Sequence, residues 1–428
     1  MERLVVVGMG YVGIPVAALF AQSGLQATGL DIDEAKVEAL AQGRYPLSAA
    51  EPELPELIAA NVAAGRLRAT TDYDVVKEAD AVLVCVDTPF DTAAGRPDYR
   101  GLEAVCRGIA SRLRSGMLVV IESTIAPTTM DQVVRPLLED GSGLVAGKDF
   151  HLGHCPERVM PGKLLHNLRH YDRVLGGIDT ATQEAMRGLY SRIVSGPLTP
   201  VDLLTAEVTK SFENTYRDVE IALANEFARY CDGVGVDFFQ VRELVNKVES
   251  RNLHLPGTGV GGHCIPKDTY LLAYGSRGRF EPTMMLMARQ INDAMPHVLA
   301  ARVLEALGPE PAGRRVAVLG YAYLPESSDA RHSPSEPLAQ ALEAAGVHVV
   351  VHDPYVTEEV GRTLERDLAT VLQGAHAAVV ATAHPEYAEL GLDRIQEKMA
   401  GSLLADGRHM FERTAAEAAG FTYIGIGH

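Results

Sequence analysis

A chain of 428 residues exceeds one hydrophobic core of ordinary size, so two or three domains are expected, and its 47% hydrophobic residues are enough to fill them. The formal net charge of −17, from 56 acidic and 39 basic residues, repels a phosphate backbone and argues against a nucleic-acid partner, although local cations and helix N-termini still permit an anionic small molecule. No apolar leader precedes the first strand-like run and no uncharged apolar run is long enough to span a membrane, so a cytoplasmic protein without a membrane partner is expected; five scattered cysteines, at 85, 106, 155, 231 and 264, fit neither a disulfide framework nor a zinc site.

Residues 3–8 read as a β-branched strand and 13–22 as an Ala-rich helix. A second strand, ATGLDI, ends at acidic residues, and a helix follows over about 34–42. Strands AVLVCV at 81–86 and LVVIEST at 118–124 flank a helical stretch at 101–112. This rhythm predicts a doubly wound, mainly parallel sheet with binding residues at the carboxyl ends of its strands. From Asp202 to about Tyr230 the chain can run as one long helix, followed by helical stretches at about 236–249 and 283–307. The glycine-rich segment PGTGVGGHCIPKD at 256–268 interrupts them as a loop, with Pro266 restricting the exit from its turn. After Gly308-Pro309-Glu310-Pro311 the α/β pattern restarts with RRVAVLG at 314–320, a helix at 339–346 and strands at 347–354 and 377–384. The expected fold class is therefore α/β: two Rossmann-like doubly wound sandwiches, at 1–199 and 309–428, joined by a central helical domain at 200–308. The similar ends suggest an internal duplication.

Gly8-Met9-Gly10-Tyr11-Val12-Gly13 lies between the first strand and the first helix, with Asp31 at the end of the next strand. That context turns a weak glycine pattern into a dinucleotide site: Gly8 for the tight turn, Gly10 for close approach of pyrophosphate, Gly13 for helix–sheet packing. Asp31 accepts hydrogen bonds from ribose hydroxyls and repels a 2′-phosphate, so NAD is the expected cofactor; Asp33 is the substitute if the strand end is displaced. Thr88, Glu122 and Thr124 stand at later strand exits and are assigned to the same crevice, an ordinary turn being the alternative for Thr88.

Cys264, in GGHCIPKD, is the expected nucleophile, with a packing cysteine as the alternative; His263 or Lys267 would favour its thiolate. Lys210 and Asn214 fall four residues apart on the long helix, with Glu207 a turn earlier and Arg217 nearly a turn later. Either this is a solvated polar face or Lys210 and Asn214 stabilise a developing oxygen anion. Cys155, in His154-Cys155-Pro156-Glu157-Arg158, is the rival thiol. His254, His263 and Asp268 imitate a metal cluster, but without convincing ligand spacing, and no metal is expected.

GMGYVGIP at 8–15, IEST at 121–124, CPERVMPGK at 155–163, EVTKSFENTYRDVEIALANE at 207–226 and GVGGHCIPKD at 259–268 together resemble the nucleotide-sugar 6-dehydrogenase family, over essentially the whole chain. PERVMPGK and GGHCIPKD resemble its UDP-N-acetylmannosamine branch more than its UDP-glucose branch. The resemblance implies four-electron oxidation of a C6 alcohol to a carboxylate, UDP-N-acetylglucosamine and then UDP-glucose being the alternative substrates. It places the covalent thiol on Cys264, oxygen stabilisation on Lys210 and Asn214, and water or substrate positioning on Asp268, Glu157 and Thr124. Arg158, His254 and Gly261 join the substrate contacts, and Arg251 reaches substrate across a homodimer formed by the central helices. Tyr11 and Val12 line the cofactor loop, and Arg331, in DARHSP, is counted with the cofactor contacts. Two departures bear on substrate binding: Leu324 stands where a lysine is frequent, and Asp87 where a proline is. A two-electron dehydrogenase and a nucleotide-sugar sensor without turnover are the remaining alternatives.

Overall fold

The computed structural model describes residues 1–47, 51–159, 162–357 and 360–428. The chain forms two compact units, Met1–Glu213 with Tyr270–Glu281, and Asn214–Thr269 with Pro282–His428.

In the first unit, β-branched and aliphatic runs make the central strands of an eight-stranded sheet: β1 (Arg3–Val7), β2 (Gln26–Leu30), β3 (Leu67–Thr70) and β4 (Ala81–Val84). A short hairpin, β5 (Phe90–Asp91) and β6 (Arg96–Pro97), stands apart from it. The sheet continues with β7 (Leu118–Ile121), β8 (His151–His154), β9 (Arg173–Gly177) and β10 (Leu198–Asp202), in the order β10-β9-β8-β7-β4-β1-β2-β3. Strands β1, β4 and β7 carry helices or turns on both faces, so their side chains are apolar in succession rather than alternating. All neighbours are parallel except β8 and β9. The strands predicted at 81–86 and 118–124 stop at Val84 and Ile121, which leaves Glu122, Ser123 and Thr124 in the turn beyond the sheet, where backbone is free to leave the ladder.

The second unit holds a six-stranded parallel sheet of β11 (Arg315–Leu319), β12 (His348–His352), β13 (Leu364–Glu365), β14 (Ala377–Val380), β15 (Leu403–Asp406) and β16 (Thr422–Gly425), ordered β13-β12-β11-β14-β15-β16. Counted from its first strand this is 3-2-1-4-5-6, the doubly wound order, and β3-β2-β1-β4-β7-β8 of the first sheet repeats it. The likeness extends to single atoms. Gly8 N donates to Leu30 O and Gly320 N to His352 O, each at 2.8 Å. Asp31 Oδ2 accepts from Met9 N, and Asp353 Oδ2 from Tyr321 N, each at 2.6 Å. These paired details support the internal duplication.

One helix, Leu203–Val234, contributes its first turns to the first unit and the rest, from Asn214, to the second. With the helix Met284–Leu307 it packs Ala224, Ala228, Cys231, Met295, Leu299 and Val303 into the core beneath β11. The glycine-rich segment is shorter than predicted: a helix begins at Ile265 and runs to Gly275. Pro266 therefore sits in a first helical turn, where its missing N–H costs nothing, instead of closing a loop. The helix predicted at 339–346 spans Ser335–Ala344. Among the described residues no helix is long and apolar enough to cross a membrane.

Candidate active site

The cofactor loop of the first unit has the shape its glycines imply. Gly8 adopts φ +94°, and a Cβ there would stand 2.8 Å from Cys85 O. A Cβ at Gly13 would collide with the Gly8 carbonyl, whereas at Gly10 nothing lies within 4 Å, so the loop has an open approach there. Tyr11 and Val12 are half-buried, and no side chain caps the helix Gly13–Gln22, where Ile14 N donates to Gly10 O at 3.2 Å. Asp31 is half-buried beyond β2 and also accepts from Asp33 N at 2.9 Å. Asp33 caps the helix Glu34–Ala41 through Ala35 N and Lys36 N, so the strand-end role falls to Asp31. A glycine turn open at Gly10, leading into a helix, and an acid at the end of the next strand fit NAD.

Glu122 follows β7 directly. It is fully buried, accepts from Tyr190 OH at 2.5 Å and lies 3.8 Å from Cys85 Sγ. Burial raises its carboxyl above the usual range, with the Arg173 charge opposing. The Glu122 N–H still donates to Val84 O at 2.8 Å, and the residue follows Leu118 and Val120 on the sheet face that shares a core with Tyr190. Thr88 is buried as well and donates to Thr124 O at 2.5 Å, so it fastens one strand exit to the next.

The segment after β8 brings Cys155, Glu157 and Arg158 together. Cys155 is fully buried, 3.9 Å from Arg173 Nη1, and burial pushes its thiol up to about 11, which removes it as a nucleophile. Glu157 and Lys210 are both buried, with Nζ 3.6 Å from Oε2. Lys210 thus points inward and is no part of a solvated face. Arg158 pairs with Glu213, Nε to Oε2 3.1 Å. Met160 and Pro161 of the CPERVMPGK segment lie outside the described residues, but beyond them Gly162 N and Leu164 N donate to buried Glu51 at 2.5 and 3.1 Å.

Glu207 is not a member of a polar face either. It is buried and accepts from Thr128 N and Met130 N, each at 2.8 Å, and so ties the long helix to the turn after β7. Burial pushes its carboxyl up to about 7, against an ordinary value of 4.5. The folded chain then favours the protonated acid: the stabilisation is complete below pH 4.5 and is lost as pH rises through 7. Glu207→Gln should gain on the wild type across that window, by roughly 3 kcal/mol or a Tm difference widening by about 5 °C or more in thermal melts. A constant offset between the two melting curves would contradict it.

In the second unit Cys264 is half-buried at the head of the helix Ile265–Gly275, its carbonyl accepting from Asp268 N at 3.0 Å. Thiolates are favoured at such helix N-termini. The same turn brings buried Asp268 against Asn214 Nδ2 at 2.5 Å and Lys267 Nζ at 2.8 Å. Lys267 is thereby answered by Asp268, which weakens its expected role beside the sulfur. Gly261 is required: a Cβ would stand 2.6 Å from Tyr323 Cβ and 2.8 Å from His332 O. Gly262 N donates to Arg331 O at 2.8 Å, and the Arg331 guanidinium pairs with Asp329. His254 Nε2 lies 3.0 Å from Glu220, and exposed Arg251 bonds Ser250 Oγ at 2.9 Å. Arg217 is exposed, as is Leu324.

Glu51, Arg173 and Tyr190 support these residues and were not among the expected ones. Arg173 carried a readable signal, a charge heading an otherwise apolar strand; Glu51 and Tyr190 carried none, because their partners are more than 60 residues away.

A glycine turn suited to NAD, together with a thiol, an amide and acids set on helices, defines an NAD-dependent dehydrogenase. Family models then give the particular assignment. The UDP-glucose/GDP-mannose dehydrogenase family matches at residues 2–194 (NAD binding domain), 204–294 (central domain) and 317–413 (UDP binding domain). The chain is 36% identical to the UDP-N-acetyl-D-mannosamine dehydrogenase of Pyrococcus horikoshii over 99% of each chain. A solved structure of UDP-D-ManNAc dehydrogenase from that organism superposes with TM-score 0.93, covering 100% of this chain and 99% of the other. An NDP-N-acetyl-D-galactosaminuronic acid dehydrogenase from Methanosarcina mazei Go1 is 40% identical, with TM-score 0.89 and 100% and 95% covered. The chain belongs to the UDP-glucose/GDP-mannose dehydrogenase family and is an NAD-dependent nucleotide-sugar dehydrogenase.

Proposed function

We propose that this enzyme oxidises the C6 alcohol of UDP-N-acetyl-D-mannosamine to UDP-N-acetyl-D-mannosaminuronate through a covalent intermediate on Cys264. The observation that carries the mechanism is the helix head at Cys264, whose first turn places Asp268 against Asn214 and Lys267. The 36% identity to a UDP-N-acetyl-D-mannosamine dehydrogenase over nearly the whole chain supports the sugar.

When bound, NAD supplies the hydride acceptor for both oxidations. Water organised by Thr124 and Asp268 takes the C6 hydroxyl proton, and Lys210 and Asn214 hold the oxygen as charge builds on it. The Cys264 sulfur then bonds to the aldehyde carbon as a thiohemiacetal. Loss of its hydroxyl proton to water and of a second hydride from its carbon leaves a thioester, whose C–S bond is broken by water positioned by Glu157 and Asp268, releasing the carboxylate and returning the thiol. Arg158, His254 and Gly261 contribute to sugar-nucleotide binding, and Arg331 to the cofactor side. The division at 1–199, 200–308 and 309–428 belongs to the same reading and draws support from the family models at 2–194, 204–294 and 317–413.

The reading includes a homodimer through the central helices. Tyr216, Leu223, Phe227, Tyr230 and Val234 stand exposed along the long helix at spacings of three, four and seven residues, an apolar stripe that a second copy would bury. Arg251 would then reach the partner's substrate. Replacing Tyr216 and Tyr230 with Glu together should shift light scattering from twice the chain mass to the chain mass; a wild type already at the single-chain mass would remove the dimer.

A second substrate reading, the N-acetylgalactosamine counterpart, is favoured by the 40% identity to the Methanosarcina mazei protein. The test is incubation with NAD and, separately, the UDP derivatives of N-acetylmannosamine, N-acetylgalactosamine, N-acetylglucosamine and glucose, following NADH and the product by mass spectrometry. Two NADH and one uronate per N-acetylmannosamine derivative, with the others much slower, is the expected result. Faster turnover of another sugar would move the substrate assignment. One NADH per turnover would remove the thioester, and none with any sugar would favour a sensor.

A further inference from the structure

The second unit contains a chain of buried side chains that starts at one end of the Cys264 segment and finishes at the other. Gly257 N, at the entry to the glycine-rich segment, donates to Asn225 Oδ1 at 2.8 Å. Asn225 Nδ2 donates to Asn292 Oδ1 at 2.8 Å, and Asn292 Nδ2 to Asp218 Oδ1 at 2.7 Å and to Asp218 O at 2.9 Å. Asp218 also accepts from Arg289 Nη1 at 2.7 Å and, on its other oxygen, from Thr269 Oγ1 at 3.2 Å. Thr269 follows Asp268 directly and lies in the helix headed by Cys264.

Asn225, Asn292, Asp218 and Thr269 are wholly enclosed, and Arg289 is nearly so. The long helix supplies Asp218 and Asn225, two turns apart on one face, and the helix Met284–Leu307 supplies Arg289 and Asn292, three residues apart. An apolar set of the same volume would hold these helices together as well, and a buried ion pair is weak evidence for stability. What a connected polar set adds is direction, because each amide and carboxyl oxygen accepts bonds along defined lines and an enclosed group left without its partner is costly.

We propose that Asn225, Asn292, Asp218, Arg289 and Thr269 act as one positioning unit that clamps the Cys264 segment at Gly257 and Thr269 and so fixes the sulfur and the Asp268 carboxyl for reaction. None of the five touches substrate; they act through the backbone they hold. Nucleophilic attack and water delivery depend steeply on alignment, since a displacement of about 1 Å can cost ~100-fold in rate. The proposal rests on the reading of Cys264 as the reacting thiol.

Thr269→Val keeps the side-chain shape and removes the one hydroxyl that reaches Asp218. The enzyme carrying it should lose about tenfold in kcat with the KM for NAD and UDP-sugar held within about twofold, and Thr269→Ser should restore kcat to within about threefold of wild type. Alkylation of Cys264 by iodoacetamide, followed by peptide mass mapping on the folded protein, should accelerate about threefold or more in Thr269→Val as the helix head loosens. Asn225→Ala, at the opposite end of the chain of bonds, should raise the same alkylation rate. A Thr269→Val enzyme with wild-type kcat, a loss that Thr269→Ser shares, or Cys264 alkylation unchanged in both Thr269→Val and Asn225→Ala would overturn the proposal. The alkylation readout needs no turnover, so a wild-type protein that makes no NADH would count against the functional reading and leave the clamp to be judged by the thiol.

Discussion

Cys264→Ala should abolish uronate formation, lowering four-electron turnover by about 10³-fold or more while NAD and UDP-sugar still bind. The thiol is half-buried at a helix head, and Asp268 keeps its bonds to Asn214 and Lys267 when the sulfur is removed. Folding should therefore be preserved, and the loss should lie in kcat. The decisive measurement is the product. Without the sulfur there is no covalent route past the aldehyde, so trapping with a hydrazine should reveal aldehyde in place of uronate. Uronate formed at the wild-type rate would mean that hydrated aldehyde is oxidised directly and that Cys264 packs rather than reacts. Cys155 offers no second route, because its burial keeps the thiol protonated against the opposing Arg173 charge.

Lys210→Met should lower kcat by about 10²–10³-fold, the range expected for losing a preorganised charge beside a developing oxygen anion. The same change leaves Glu157 buried without the cation 3.6 Å away, and breaking a buried pair costs about 3–5 kcal/mol. Loss of stability and loss of catalysis must therefore be separated. Glu157→Gln combined with Lys210→Met removes both charges and should recover much of the melting temperature. If Lys210 stabilises the reacting oxygen, the double variant remains at least as slow as Lys210→Met, since Glu157→Gln also removes the water-positioning carboxylate. Recovery of kcat together with Tm would reduce Lys210 to the counter-ion of Glu157.

Much of this was legible in the residues because it is local. Gly8, Gly13 and Asp31 are linked by one strand–turn–helix–strand unit, and backbone geometry alone requires glycine where φ is positive or a Cβ would collide. The long helix was readable for the same reason, from an uninterrupted run. The errors were at element ends. Reading a strand over 118–124 carried it past Ile121, where β7 ends. Reading GGHCIPKD as a loop missed the helix beginning at Ile265, since proline and glycine suggest a turn although proline is equally at home in a first helical turn.

The sequence by itself determined the doubly wound class, the NAD loop and the family, because periodicity, glycine stereochemistry and motif spacing act over a few neighbouring residues. Only the tertiary structure decided which polar side chains are spent on holding the fold. Glu207 caps the turn after β7, Cys155 lies sealed beside Arg173, Glu51 grips Gly162 and Leu164, and Asn225, Asn292 and Asp218 meet across helices. Those roles come from burial, which makes an unpaired polar group costly and selects its partner by proximity in space, whatever the separation along the chain.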